Sequence, residues 1–577
     1  MPVYNRDVAR ILDQVADLLE IEGADSFRVR AYRNAAQSIS TMSREVATMV
    51  DEGEDLTEIR GIGESIAEKI EEIVKTGDLG QLAQIEERTP AELTELLDLP
   101  GLGPKRVQTL HEELGIETLD DLRDAAERNR IRTVSGLGDR TEARIARELE
   151  QRHDEERRTR IDVAEEIVTP LLDYLCGIEG VEQVAVAGSY RRRQETVGDL
   201  DLLATGADGE QIIRHFTEYE DVREVISQGK TRSTVRLRLD MQVDLRVVAD
   251  ESYGAALLYF TGSKAHGIAL RNMALDEGLK INEYGVFRDD ERIAGATEEE
   301  IYDLFDLPYI VPELRENRGE LEAAAEGKLP ELVTVDDIRG DLQIHTTASD
   351  GKNTLEEMAA AAQERGYAYL AVTDHSPHVS VTQGLDADAL ARRIDEIQEL
   401  NESFNDFRLL TGIEVDILKD GSLDLPDDIL KRLDIVVAAV HSAFNLDREE
   451  QTERILRALD NPTVHILVHP TGRRIGERNP RKRPPAEMDM ERVMEAAKER
   501  GCFLEINASP SRLDLSDAYA KMAGEIGLKL AISTDAHSTK ELDFIRYGVD
   551  QARRGWFGPD GIVNTRSWSD LKALLKR

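Results

Sequence analysis

The chain has 577 residues, 40% of them hydrophobic, and its 115 acidic against 73 basic residues give a formal net charge of -42. That length exceeds what one hydrophobic core usually serves, so two to four domains are expected. No apolar run reaches membrane-spanning length, MPVYNRDVAR lacks an apolar signal core, and Cys176 and Cys502 stand in different regions; these features argue for a cytoplasmic protein without a membrane partner, a disulfide framework or a cysteine metal cluster.

So acidic a chain argues against a nucleic-acid binder, because phosphates would be repelled, but the distribution qualifies this. Acids crowd predicted helix faces (Asp51 to Asp55, Glu298 to Glu300), whereas basic clusters fall beside motifs, at Arg191 to Arg193, Lys230 to Arg238 and Arg473 to Arg483. Acidity of this kind, with Arg much commoner than Lys, suits a salt-loving (halophilic) cytoplasm in which ionic strength screens self-repulsion.

From Val3 to about Thr48, apolar residues recur at helical spacing (Val8, Ile11, Leu12, Val15, Leu18, Leu19), which predicts a helical bundle. Next, Ile62, Ile66, Ile70, Ile73 and Val74 form one helical face entered through Gly61-Ile62-Gly63. The pattern returns at Gly101-Leu102-Gly103, followed by Lys105, and at Gly136-Leu137-Gly138, where Asp139 follows the glycine. A Gly-apolar-Gly turn opening a helix presents backbone N–H groups at the positive end of the helix dipole, so it can hold a phosphate without reading sequence. A single turn of this kind is most often a plain helix connection. Three in one stretch point to helix-hairpin-helix elements that bind a DNA backbone.

After a charged helical connection (151–165) the chain becomes strand-rich, and GSYRRRQETVGDLD runs from Gly188 to Asp201. On an extended strand Asp199 and Asp201 point to one face, a ready ligand pair for a divalent metal. Gly188 and Ser189 let backbone approach a phosphate, and Arg191, Arg192 and Arg193 bring positive charge. RLRLDMQVDLRVV reads as one long strand carrying Asp244, and three carboxylates on neighbouring strands can hold two divalent ions.

With QVDLR and YFTGSKAHGIALR (Tyr259 to Arg271) added, residues 1 to about 318 resemble a family X DNA polymerase. The resemblance implies two magnesium (or manganese) ions held by Asp199, Asp201 and Asp244, with the three acids activating the primer 3'-hydroxyl. It implies that Gly188, Ser189 and Arg192 hold the dNTP triphosphate, that Tyr259, Phe260 and Gly262 line the nucleotide, and that Arg271 reaches the template minor groove. Val197 departs from the family pattern where a hydroxyl contacts phosphate, and Gly267 departs where an Asn touches the base edge. Lys69 matches the position of a Schiff-base nucleophile in the family's lyase domain.

From about Asp336, strands alternate with helices, and each strand ends in a metal-capable residue: Gln343, His345 and Asp350, then His375, Glu414, His441, His469, and finally Asp535 and His537. Ligands at strand C-termini are what a parallel β/α barrel offers. The donors are nitrogen and oxygen only, suited to manganese, zinc or iron and to phosphoester hydrolysis. This half resembles the PHP (polymerase and histidinol phosphatase) domain, which implies up to three divalent metals and a 3'-5' exonuclease. Gln343 replaces the first His of the family's HxH, and an amide oxygen is a weaker donor than imidazole. The loop TGRRIGERNPRKRPP after His469 sets Arg473, Arg474 and further basic residues at the catalytic end of the barrel, where a DNA strand would need them.

The expected architecture is multidomain: α-helical helix-hairpin-helix N-terminal domains, an α+β nucleotidyltransferase palm with thumb, and a C-terminal parallel β/α barrel. Boundaries are placed at 1–82 (helical lyase-like domain), 83–155 (fingers), 156–250 (palm), 251–318 (thumb), 319–336 (polar linker acting as a hinge) and 337–577 (PHP barrel). The expected function is gap filling in DNA repair, of the base-excision type, on gapped or nicked DNA with dNTPs by a monomer, with the barrel processing 3' ends. Two alternatives stand beside it: a nucleotidyltransferase on RNA or small acceptors with a phosphatase attached, and a DNA-end binding scaffold whose nuclease has weakened from Gln343 onward.

Overall fold

The structure is a computed structural model describing residues 5–576 except 43–45, 60, 87, 98, 100–101, 135–136, 140, 147–157, 379–383, 445 and 476–484. The chain forms two compact units, residues 1–157 and 158–577. The first is helical. Helix Asn5–Ile21 buries Val8, Ile11, Leu12, Val15, Leu18 and Leu19 on one face, as its spacing predicts, against Tyr32 and Ile39 of Ser26–Thr41 and Ile66, Ile70 and Ile73 of Glu64–Thr76. Asp25 caps the second helix by accepting from the Phe27 N–H, and Gly77 ends the helix that contains Lys69 in the left-handed conformation glycine tolerates. A separate core gathers Leu93, Leu96, Val107, Leu110, Leu122, Ile131 and Ile145.

The second unit opens with the short antiparallel pair β1 (Thr159–Arg160) and β3 (Thr196–Val197) and a five-stranded sheet made of β2 (Val181–Val186), β4 (Leu200–Gly206), β5 (Val222–Gln228), β6 (Arg232–Leu237) and β7 (Gln242–Val247). The order in the five-stranded sheet is β2-β4-β7-β6-β5; β4 and β7 run parallel and its other pairs antiparallel. Helices Ile161–Cys176 and Gly209–Thr217 cover one face. The stretch expected as a single long strand is instead the hairpin β6–β7: Asp240 takes a positive φ of 59°, and the Leu237 N–H donates to the Met241 carbonyl. The alternation of apolar residues continues through the turn, which hid it from a periodicity argument; an Asp tolerates the left-handed region at modest cost. Helices Tyr253–Thr261 and Lys264–Asp276 follow, then a small antiparallel sheet of β8 (Lys280–Asn282), β9 (Gly285–Arg288) and β10 (Glu291–Ala294).

The polar run 319–336, expected as a hinge, carries a short packed helix and is otherwise largely exposed. Helix Glu320–Ala325 buries Leu321 and Ala324 together with Glu320, whose carboxylate lies 2.6 Å from His266 Nδ1. Further on, the Val333 N–H donates to the Phe557 carbonyl. Apolar positions three apart among many acids suffice to seat a short helix.

Seven strands, β11 (Gly340–Ile344), β12 (Tyr369–Val372), β13 (Arg408–Asp416), β14 (Ile435–Ala439), β15 (Ile466–Leu467), β16 (Phe503–Asn507) and β17 (Leu530–Ser533), pair in parallel in chain order. A parallel bridge from Ile344 to Ala536 brings the last strand back to the first, so the sheet is a nearly closed barrel. Burial on both faces explains why these strands read as continuous Val/Ile/Leu/Ala runs.

Candidate functional site

Parallel pairing of β4 and β7 sets Asp201 directly across from Asp244, with Asp199 one residue before β4. Asp244 is buried; Oδ1 accepts from Thr234 Oγ1 at 2.6 Å and Arg232 Nη2 at 3.3 Å, and Oδ2 from Gln242 Nε2 at 3.1 Å. Burial pushes the Asp201 carboxyl up to about 6, with the charges of Asp199 and Asp244 adding to it; burial and then Asp244 raise Asp199. Acids that strain against one another's charge are a donor set relieved by a divalent cation. Gly188, at φ 62°, lies against this carboxylate: a Cβ there would come within 2.6 Å of Asp201 Oδ2, so glycine is required. Ser189 follows, and its carbonyl accepts from the Gln194 N–H.

The three arginines are all partnered. Arg191 grips Glu298 with both terminal nitrogens, at 2.8 and 2.7 Å; Arg192 donates to Glu316 (2.9 Å) and the Thr261 carbonyl (2.7 Å); Arg193 donates to Asp550 (2.7 Å). Glu298, expected on a helix face crowded with acids, is 4% exposed between Arg191 and Arg315. Burial would raise its carboxyl, but the two guanidinium groups hold it down to about 2.

Tyr259 is exposed on the end of helix Tyr253–Thr261, edge-on to Phe260, with the Arg271 guanidinium over its ring and that of Arg246 over Phe260. A Cβ on Gly262 would meet His266 Cδ2 at 2.8 Å, so the close turn into the next helix depends on glycine. Val197 is fully buried, and a side chain at Gly267 would find open space.

In the helical unit the Gly turns repeat one hydrogen-bond scheme. The carbonyls of Gly63, Gly103 and Gly138 each accept from the two N–H groups three and four residues on, and each central apolar residue donates back three positions (Ile62 to Ile59, Leu102 to Leu99, Leu137 to Val134). The third turn keeps this geometry despite Asp139, which Arg132 pairs at 3.2 Å. Gly61 has φ 86°, and Lys105 is exposed; Gly101 and Gly136 lie outside the described residues. Lys69 Nζ donates to the Ser65 carbonyl and hydroxyl at 2.8 and 2.9 Å.

The strand ends of the barrel converge. Ligand atoms of His345, Asp350, His375 and His537, of His375, Glu414 and His441, and of His345, Glu414 and Asp535 each lie within 4.8 Å of one another. His469 Nε2 is 3.0 Å from Glu414 Oε1, and Gln343 Nε2 donates to Glu414 Oε2 at 3.1 Å. Buried nitrogens of His345 (both), His375, His441 and His469 and the Oε1 of Gln343 lack a hydrogen bond. His345 Nε2 lies 3.2 Å from Glu414 and 3.1 Å from Asp535, so the ring and both acids converge on one place. Burial would lower His441, yet Asp416 and Glu414 raise it to about 9; the surrounding imidazoles hold buried Glu414 well below the usual carboxylate range. The donor set fits divalent cations.

Residues that motif reading passed over surround this centre. Asp416, two positions after Glu414 on β13 and therefore on the same face, lies 3.3 Å from His441 Nδ1; that period-two signal was available. Glu505 and Arg512, from β16 and the loop after it, flank Asp535, whose Oδ2 lies 3.4 Å from Arg512 Nε. Their sequence context offered no ligand pattern. Arg473, expected at a DNA strand, pairs with Glu195 at 2.7 Å and with the Leu513 carbonyl, whereas Arg474 is exposed; 476–484 of that basic loop lie outside the described residues.

Comparison with known proteins agrees with both halves. Family models match residues 3–79 (helix-hairpin-helix domain), 93–151 (SAM-like helix-hairpin-helix tandem), 256–316 (DNA polymerase beta thumb) and 341–509 (PHP domain). "DNA polymerase/3'-5' exonuclease PolX" of Bacillus subtilis (strain 168) is 36% identical over 579 residues, spanning 100% of both chains. A "Probable phosphatase" of Thermoanaerobacter sp. (strain X514) is 32% identical over 247 residues, 41% of this chain and 94% of its own length. The chain belongs to the family X DNA polymerases that carry a PHP domain.

Proposed function

We propose that the protein is a DNA-directed DNA polymerase filling short gaps during base-excision-type repair, with a 3'-5' exonuclease in its barrel. The observation that carries the polymerase reading is the register of Asp201 against Asp244 beside the Gly188 turn. Asp199, Asp201 and Asp244 would hold two magnesium or manganese ions; His345, Asp350, His375, Glu414, His441, His469, Asp535 and His537, with Gln343 through its unpartnered Oε1, would hold up to three of manganese, zinc or iron. When bound, such ions neutralise phosphate charge and activate the attacking oxygen, a primer 3'-hydroxyl in the palm and a water in the barrel.

The chain's own groups do the rest. Thr234 and Gln242 fix the Asp244 carboxylate so that both its oxygens keep their direction. Gly188, Ser189 and Arg192 bind the dNTP triphosphate; Tyr259, Phe260 and Gly262 lie along the nucleotide; Arg271 reaches the template. The turns at Gly61-Gly63, Gly101-Gly103 with Lys105, and Gly136-Gly138 hold the backbone of gapped or nicked DNA. A lyase step rests on Lys69, whose amine Ser65 orients, and borohydride trapping of an abasic 5' end that survives Lys69→Ala would remove it. We place the boundaries at 1–82, 83–155, 156–250, 251–318 and 337–577, with 319–336 the linker, in a cytoplasmic monomer. The acidic composition is read as adaptation to salt, and stability that falls with molar KCl would refute this.

End-to-end similarity to a polymerase/exonuclease disfavours both the small-acceptor transferase and the scaffold readings. The test is a one-nucleotide-gapped duplex with a 5'-labelled primer and manganese. Extension by one nucleotide with dNTPs and 3' shortening without them are expected; a primer unchanged in both arms contradicts the reading.

A further inference from the structure

The phosphate loop of the palm is gripped by the barrel. Helix Ile545–Arg554 lies against it: Arg193 pairs with Asp550, Tyr547 donates to Glu165 at 2.7 Å, and Arg554 Nη1 donates to the Arg192 carbonyl at 2.8 Å. Ile475, Leu513 and Tyr547 of the barrel join the apolar core of the palm. At the centre of the contact is Glu316. Its Oε1 accepts from Arg192 Nε at 2.9 Å, Gln194 Nε2 at 2.5 Å and Arg554 Nη1 at 3.1 Å. Arg554 is 2% exposed, and its other terminal nitrogen bonds Asp517, which Arg318 also holds at 3.0 Å. Burial would raise Glu316, yet Arg554 first and Arg192 second keep it below its ordinary value.

Two guanidinium groups, one from the palm and one from the barrel, thus share a single carboxylate oxygen. A triphosphate approaching Arg192 must compete with Glu316 for it, and the strength of that competitor depends on how far Arg554 already satisfies the acid. We propose that Arg554 is a positioning residue for nucleotide binding: through Glu316 and the Arg192 carbonyl, the barrel sets how readily the Arg192 guanidinium reaches a nucleoside triphosphate. The proposal rests on the reading of Arg192 as a triphosphate ligand.

Its signature is a split between binding and turnover. In Arg554→Gln, Glu316 is left to Arg192 and Gln194, and KM for dNTP rises by about fivefold with kcat within twofold of the parent, in the range usual for coupling between contacting groups. Adding Glu316→Gln removes the competitor's charge and leaves only a weaker neutral acceptor, so the double variant returns to the parental KM or below it. Damage to packing alone would make the double variant worse than either single one. Steady-state primer extension at varied dNTP measures all of this in the full chain, and hydrolysis by the barrel, which stays unchanged in Arg554→Gln, reports folding. Should Arg554→Gln not fold, Glu316→Gln alone lowers KM, by about threefold. An unchanged KM in Arg554→Gln, one that stays raised in the double variant, or an unchanged KM in Glu316→Gln overturns the proposal. Arg192→Gln separates the two levels: if it leaves KM unaltered, the ligand reading fails; if it raises KM while Arg554→Gln does not, only the positioning role fails.

Discussion

The palm and the barrel both place acids at the ends of parallel strands, and they satisfy them in opposite ways. In the palm, Asp244 has donors on both oxygens from Thr234, Arg232 and Gln242, and the loop arginines each have a carboxylate. In the barrel, buried imidazole nitrogens crowd round shared carboxylates, His345 Nε2 lying 3.2 Å from Glu414 and 3.1 Å from Asp535, and the Gln343 Oε1 has no hydrogen bond. Unpaired buried polar groups cost free energy of order 1–3 kcal/mol each. The barrel donors thus converge where divalent cations would sit, whereas Asp244 in the palm is oriented by protein hydrogen bonds. We therefore expect bound metal to stabilise the barrel more than the palm.

That contrast breaks most visibly by substitution at each centre. Asp244→Ala removes primer extension by on the order of a thousandfold or more and leaves shortening of the same primer in place, in a gel assay of one duplex. His441→Ala does the converse: shortening falls at least about a hundredfold while extension persists. If either variant lost both activities, the two centres would not be separable.

A smaller effect sharpens the account of the loop arginines. Glu298 is held at about 2 by Arg191 and Arg315 against an unfolded value of 4.5, so the folded state favours its ionised form. Its contribution is complete above the unfolded value and is lost as pH falls through the folded one. Across that window the parent loses about 3 kcal/mol that Glu298→Gln does not, at about 1.4 kcal/mol per unit. Urea midpoints of the two proteins between pH 6 and 2 measure it, and parallel curves would remove Glu298 as the clamp.

Much of this was legible from spacing. The period-two pairs Asp199/Asp201 and the polar residue ending each barrel strand place their side chains without knowledge of the fold, because strand geometry is local. The hairpin at Asp240 was not legible, since alternation runs through it. Nor was the fate of Arg191 to Arg193: a basic run beside a glycine reads as charge facing solvent or ligand, and its partners Glu298, Glu316 and Asp550 lie more than a hundred residues away in sequence. The same holds for Arg473, whose partner Glu195 belongs to the palm. Long-range ion pairing leaves no local periodicity to read.

The most direct test of the contrast is a manganese titration of the metal-stripped full-length chain, followed by calorimetry, for the parent, Asp244→Ala and His441→Ala. Tight binding that survives in Asp244→Ala and loses at least one site in His441→Ala, with the unfolding temperature rising on metal addition wherever the tight sites remain, is the predicted result. Tight binding lost in Asp244→Ala and intact in His441→Ala would contradict it.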